Sequence, residues 1–203
     1  MKKKLFLMFM VCIPVIVIVL IILFRTKAEP TNEEIIKSLR EIEYYTANVE
    51  YVVKNSRGEE RENTKQYYSK DIGGRIDFGE DRTKFYKNDK IIVKDNISNK
   101  EYEMNSEMDE IHSLAFLNNL LSYSIDNNGI KEAQEEWGDT EYLEFTSEIF
   151  LKNDHLDKVK IFISKQEQKP IGAIIYDRDG RDRIRIVYRN FENLKQLDEG
   201  LLG

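Results

Sequence analysis

LDKVKIFISKQEQKPIGAIIYDRDGRDRIRIVYRNF, residues 156–191, is the stretch that decides the fold. Apolar residues recur at every second position, at Val159, Ile161 and Ile163 and again at Ile184, Ile186 and Tyr188. That period places them on one face of a pleated strand and the interleaved basic residues on the other. Lys169-Pro170 and Arg178-Asp179-Gly180 punctuate three such runs as turns. Asp177-Arg178-Asp179-Gly180 has some of the composition of a calcium loop. Its glycine falls at the fourth position rather than the sixth and no ligand follows at Arg181, so it reads as a hairpin turn. Connections this short join antiparallel neighbours.

The same period extends upstream. Val49, Tyr51 and Val53 alternate with polar residues, Asn55-Ser56-Arg57-Gly58 turns the chain, and a polar strand runs to Tyr67-Tyr68. GGRIDF, RTKFYK, KIIVKD and KEYEM follow as short strands, the middle two joined at Asn88-Asp89. GIKEAQEEW and TEYLEFTSEI resume the pattern before residue 156. Two segments have helical period instead. Pro30-Thr31-Asn32-Glu33-Glu34 looks like a capped start, with Ile35, Ile36, Leu39 and Ile42 on one stripe through about Tyr44. Met108, Ile111, Leu114, Ala115, Leu117 and Leu121 form a second stripe within Ser106–Ser124. The expected class is α+β: one strongly curved antiparallel sheet of about ten strands, a half-barrel, with two helices in its concavity or mouth. A flatter sheet packed on helices is the alternative.

Ahead of this domain, Leu5–Phe24 is 20 residues without a charge, enough to span a hydrocarbon core as a helix. Lys2, Lys3 and Lys4 precede it, which places the N-terminus inside and the domain outside the membrane. Cys12 follows Phe9-Met10-Val11 rather than small residues and lies in mid-stretch, so it is not a convincing lipid attachment site. Residues 1–28 therefore read as a basic tip and a single-pass anchor, and residues 29–203 as one extracytoplasmic domain of the cell membrane. Cleavage after Ala28 is the alternative.

The full chain has 31 Lys+Arg and 37 Asp+Glu; without Lys2, Lys3, Lys4, Arg25 and Lys27 the balance is 26 against 37, a net of −11. An acidic domain does not suit nucleic acid or an anionic lipid surface. With the single cysteine inside the anchor, the domain has no disulfide, thiol nucleophile or thiolate metal site. His112 and His155 lack a second histidine or cysteine at metal-ligand spacing, and no G-x-S-x-G elbow is present. The expectation is a non-enzymatic protein without cofactor or metal. Its 11 tyrosines are more informative. Tyr86, Tyr102, Tyr142 and Tyr176 fall on strands, and aromatics that leave the core face of a rigid sheet suit partner recognition. Arg183, Arg185 and Arg189 form a basic stripe that either docks an acidic partner or pairs with acids on the next strand.

The order of these pieces resembles the LolA/LolB-like lipoprotein-carrier superfamily and, within it, the GerS-type germination lipoproteins of spore-forming clostridia. The resemblance covers nearly all of residues 31–192. It rests on Arg75 in GGRIDF, the Asn88-Asp89 hairpin before Ile91-Ile92-Val93, and Lys169-Pro170 followed by Tyr176-Asp177, Gly180, Tyr188 and Asn190-Phe191. It implies a half-barrel with a helical lid that binds acyl chains or proteins. It further implies a partner, a zinc-dependent N-acetylmuramoyl-L-alanine amidase of the spore cortex, and a homodimer formed by strand exchange. The chain departs in lacking a lipobox cysteine at the end of Leu5–Phe24, which leaves attachment to the helix itself. Candidate binding residues are Arg75, Tyr86, Tyr142, Tyr176 and Arg185. A second reading, a lipid carrier or sensor, expects an apolar cavity lined by Ile76, Phe78, Phe85, Val93 and Leu117.

The anchor reading makes a direct prediction. After alkaline carbonate washing the protein stays in the membrane, and mass spectrometry of its N-terminal peptide finds residues ahead of Leu5. A mature N-terminus at Glu29 contradicts it.

Overall fold

A computed structural model of the chain describes residues 13–21, 29–87, 90–123, 129–134, 137–138, 140–149 and 156–203. The chain divides into two compact units, Met1–Thr31 and Asn32–Gly203. In the first, residues 13–21 are helical (α1) with exposed apolar side chains. The rest of the expected Leu5–Phe24 anchor, and Cys12, lie outside the described residues. Among the described residues no helix is long and apolar enough to cross a membrane.

The second unit is built on a sheet of 11 strands in the order β6-β5-β4-β3-β2-β1-β11-β10-β9-β8-β7, one more than the expected ten or so. Two meanders meet where β1 (Tyr44–Asn55) pairs antiparallel with β11 (Asp182–Leu194). On one side follow β2 (Gly58–Ser69), β3 (Gly73–Phe78), β4 (Arg82–Lys87), β5 (Lys90–Asp95) and β6 (Lys100–Asn105). On the other lie β10 (Lys169–Tyr176), β9 (Lys158–Ser164), β8 (Tyr142–Glu148) and β7 (Lys131–Ala133). The sheet is open, with β6 and β7 as its edges. The Asn88-Asp89 turn and His155 lie outside the described residues.

Alternation sorts each strand into an inner and an outer face. The inner face carries Tyr45, Val49 and Tyr51 of β1, Ile76 and Phe78 of β3, Ile91 and Val93 of β5, Leu143 and Phe145 of β8, Ile161 and Ile163 of β9, and Ile184, Ile186 and Tyr188 of β11. Against it pack α2 (Asn32–Arg40), α3 (Glu110–Leu114) and α4 (Leu117–Leu120). α2 buries Ile35, Ile36 and Leu39 and stops at Arg40, short of the expected Tyr44, because the chain must be extended by Tyr44 to begin β1. The expected continuous helix over Ser106–Ser124 is instead three short pieces: a 3-10 turn over Ser106–Met108, then α3 and α4. Phe116 takes extended angles (φ −69°, ψ 128°) between α3 and α4. The break lets Leu114, Phe116, Leu117 and Leu120 all enter the core, whereas Met108, expected on the apolar stripe, is 73% exposed.

Phe116 shows how tightly this lid is fitted. Its ring is 5.2 Å from that of Tyr86 and 5.8 Å from that of Tyr68, directly over Gly74. A Cβ added at Gly74 would stand 2.2 Å from the ring. Gly74→Ala is therefore expected to lower the free energy of unfolding in urea by about 1–3 kcal/mol through overpacking. Unchanged stability in that variant contradicts the tight seating of the lid.

Candidate functional site

The inner face is not wholly apolar. Lys84 pairs across the ladder with the core residue Ile76, so its side chain is carried inward too. Its ammonium lies 2.5 Å from Asp109 Oδ2, and the Tyr86 hydroxyl donates to the same oxygen at 2.7 Å. Asp109 Oδ1 is 2.5 Å from His112 Nδ1, and His112 Nε2 is 3.0 Å from Glu62 Oε2 on β2. Arg82 closes the series 3.6 Å from the other Glu62 oxygen. Edge-on contacts with Tyr51 at 4.7 Å and Phe78 at 5.0 Å hold the imidazole plane. The start of the lid is thus clasped to two strands through one buried carboxylate.

These contacts fix the charge states. Burial opposes ionisation of Asp109, yet bonds from His112, Lys84 and Tyr86 outweigh it and hold the carboxyl well below its ordinary range. Glu62 is lowered too, chiefly by its bond with His112. Burial likewise opposes charge on His112, but the hydrogen bonds with Asp109 and Glu62 prevail and raise its pKa. Burial, followed by the Asp109 charge, pushes the Tyr86 hydroxyl far above its ordinary value. A phenol held protonated is a poor nucleophile. Asp, His and Glu in mutual reach have the ligand types of a metal site, but Lys84 occupies the place of the cation. Among the described residues no group of three or more His, Cys, Asp or Glu could hold a metal ion. The cluster fastens the lid.

The residues singled out in the sequence do not converge. Tyr86 faces inward and is buried at 8% exposure. Tyr142, at 2%, packs on the outer face with Phe162, Ile174 and Trp137. Neither ring is presented to solvent, whereas Tyr102 on the edge strand β6 is 56% exposed. Tyr176 is half-buried against the Tyr142 cluster, and Arg185 donates to Asp182 at 2.8 Å. Arg75 lies on the outer face between the rings of Tyr67 (5.5 Å) and Phe85 (5.6 Å), donating to Asp77 and to the Leu201 carbonyl. The arginine stripe of β11 pairs internally: Arg183 with Asp177, Arg185 with Asp182, Arg189 with Glu50. Asp177 also accepts from the backbone of Asp179 and Arg181, as a hairpin turn requires.

The residues expected to line a lipid cavity divide between faces. Ile76, Phe78, Val93 and Leu117 are packed in the core at 0, 8, 1 and 0% exposure. Phe85 is on the opposite face, its register fixed by pairing with Arg75.

A family model described as sporulation protein YdcC-like matches residues 2–202. An uncharacterized conserved protein from Thermus thermophilus has the same fold at 10% identity, covering 84% of this chain and 91% of its own, with a TM-score of 0.54. A LolA superfamily protein from Nitrosomonas europaea is similar at 13% identity over 86% of this chain and 98% of its own, TM-score 0.47. A chain from the complex of the CwlD amidase with the GerS lipoprotein of Clostridioides difficile is similar at 19% identity over 82% of this chain and 98% of its own, TM-score 0.41. No curated protein sequence matches.

The clasp predicts a definite pH dependence. Because the His112 pKa is raised above 6.5, its proton stabilises the fold fully below pH ~6.5 and this contribution fades as pH rises through the raised value. Asp109 and Glu62 are lowered from 3.8 and 4.5, so their contributions are present above those values and vanish as pH falls through the lowered ones. Thermal stability is expected to peak between about pH 5 and 6.5 and to decline on the alkaline side, with the decline much reduced in His112→Gln. An identical alkaline decline in wild type and variant contradicts the role of His112.

Proposed function

This chain belongs to the YdcC-like sporulation protein family, and we propose that it is a non-enzymatic, membrane-anchored extracytoplasmic partner of a spore cortex N-acetylmuramoyl-L-alanine amidase. The observation that carries the reading is the filled inner face. A carrier of acyl chains needs room there, and in this chain that room is taken by Phe116, Leu117 and a buried ionic clasp. What remains for recognition is the outer face and the sheet edge, surfaces suited to a protein. Family membership supports a role in sporulation, and the resemblance to germination lipoproteins supports the choice of amidase. The amidase supplies the zinc and the chemistry; docking raises its activity to the extent that this protein binds the active state more tightly than the inactive one. The edge strand β6, whose Tyr102 is 56% exposed, is where strand exchange between two copies would begin.

The test is peptidoglycan amidase activity and zinc content of the co-expressed spore amidase, with and without the full-length protein in detergent. A joint rise in activity and zinc occupancy with co-elution is the expected result. No change in either, with separate elution, overturns the reading.

A further inference from the structure

On the outer face Asp77 (β3), Lys65 (β2), Asn48 (β1) and Arg189 (β11) are successive cross-strand partners, one polar row over four strands. Glu50 and Asn63 pair in the adjacent row. The β1–β11 ladder slips between Thr46 and Asn48, and beside the slip Asn190 takes a φ of 50°. An extra residue of this kind bends a strand and interrupts its surface. Here a depression of about 440 Å³ is lined by Asn48, Glu50, Asn63, Lys65, Asp77 and Arg189. That volume falls within the range of about 300–1,000 Å³ typical of small-ligand sites.

Its acids are already engaged. Glu50 accepts from Arg61 at 2.9 Å and from Arg189 at 3.0 Å, and both bonds hold its carboxyl below the ordinary range. Asp77 Oδ1 accepts from Arg75 at 2.8 Å and Thr83 at 2.9 Å. Lys65 differs. Its contact among the described residues is the ring of Tyr67, 5.1 Å away, with no carboxylate in ion-pair range. The side-chain amides of Asn48 and Asn63 form no hydrogen bond among the described residues, and both residues are exposed. Arg189 presents further N–H groups beyond the one given to Glu50. Two cations and two unused amides therefore line one recess on an acidic domain.

We propose that this depression binds a carboxylate-bearing peptide, with Lys65 and Arg189 receiving the carboxylate and Asn48 and Asn63 bonding the flanking amide groups. Side-chain amides donate and accept at once, which matches a peptide backbone. Glu50 and Asp77 on the walls tolerate a monoanion better than the higher charge of phosphate. The inference does not rest on the amidase reading: it concerns one recess of the outer face and a small peptide ligand, and its test involves no amidase.

The test is titration calorimetry of the full-length protein in detergent with N-acetyl-Ala-Glu-Ala-amide, with N-acetyl-Ala-Gln-Ala-amide as the neutral control and inorganic phosphate as the competing anion. Binding of the acidic peptide is expected, with the neutral peptide and the Lys65→Ala variant each weaker by about tenfold or more, the range for a charge-assisted hydrogen bond. Asn48→Ala with Asn63→Ala weakens binding similarly, while Lys94→Ala, on the outward side of β5, leaves it unchanged. Equal melting temperatures of wild type and variants keep the comparison free of unfolding. No heat from the acidic peptide, equal affinity for the neutral one, tighter binding of phosphate, or an unaffected Lys65→Ala variant each overturns the proposal.

Discussion

The antiparallel pairing of β1 with β11 is the constraint on which the rest of the molecule depends. Each meander alone is a set of hairpins with a half-width apolar face. Joined along Tyr44 to Val53 and Ile184 to Leu194, they present one continuous inner face wide enough to take three helices. The central strands also catch the lid. Tyr45 of β1 accepts the Leu117 backbone N–H at 3.0 Å, and Tyr188 of β11 donates to the Ala115 carbonyl at 2.6 Å. These bonds satisfy backbone groups left open where α3 breaks into α4. Tyr51 accepts from Gln66 at 2.8 Å, which extends the polar thread to β2. Burial first of all drives the hydroxyls of Tyr45, Tyr51 and Tyr188 far above their ordinary pKa, so they remain protonated donors. The abundance of tyrosine is thus a structural device: rings that fill a core and hydroxyls that tie an irregular lid to it.

The two faces consequently do different work. Inward, the ionic clasp of Lys84, Asp109, His112 and Glu62 is costly to desolvate and acts as a set, because Lys84 or Asp109 left alone would be a buried unpaired charge. That balance favours a lid that is fully shut over one that is half open. Outward, the charges are arranged in short pairs, and those exposed on both sides, such as Lys90 with Glu103, contribute little stability each. Their value lies in presenting a patterned surface, and the Lys65 recess is one place where that pattern leaves donors unused among the described residues.

Much of this architecture was legible in the sequence, and the misses share a physical cause. Runs such as 158–164 and 182–191 announce their strands because one face is uniformly apolar. RTKFYK does not: Phe85 and Lys84 both compete for the inward phase, and hydrophobicity alone selects Phe85. The register chooses otherwise, since Ile76 and Phe78 must face in and carry Lys84 and Arg82 with them. The readable signal was the Asp109-x-x-His112 spacing at the head of a helix, a partner set for an inward lysine. Ser106–Ser124 failed differently. Its stripe fits a single helix, but a straight helix could not place Leu114, Phe116 and Leu120 in one shallow core together, so the chain breaks at Phe116. Tyr86 and Tyr142 were legible as strand residues, while their burial depended on which element came to lie above them.

The central claim is that the lid closes the inner face in the ground state. Hydrogen exchange of the full-length protein measures this directly, by comparing the amides of Ala115, Leu120 and Leu121 with those of the central strands at pH 6. Protection at the lid is expected to lie within about 1–2 kcal/mol of that at the β1 and β11 amides, because clasp and core open as one unit. Exchange at the lid several orders of magnitude faster than in β1 and β11 would show a lid that opens alone, and would make the inner face a binding site again.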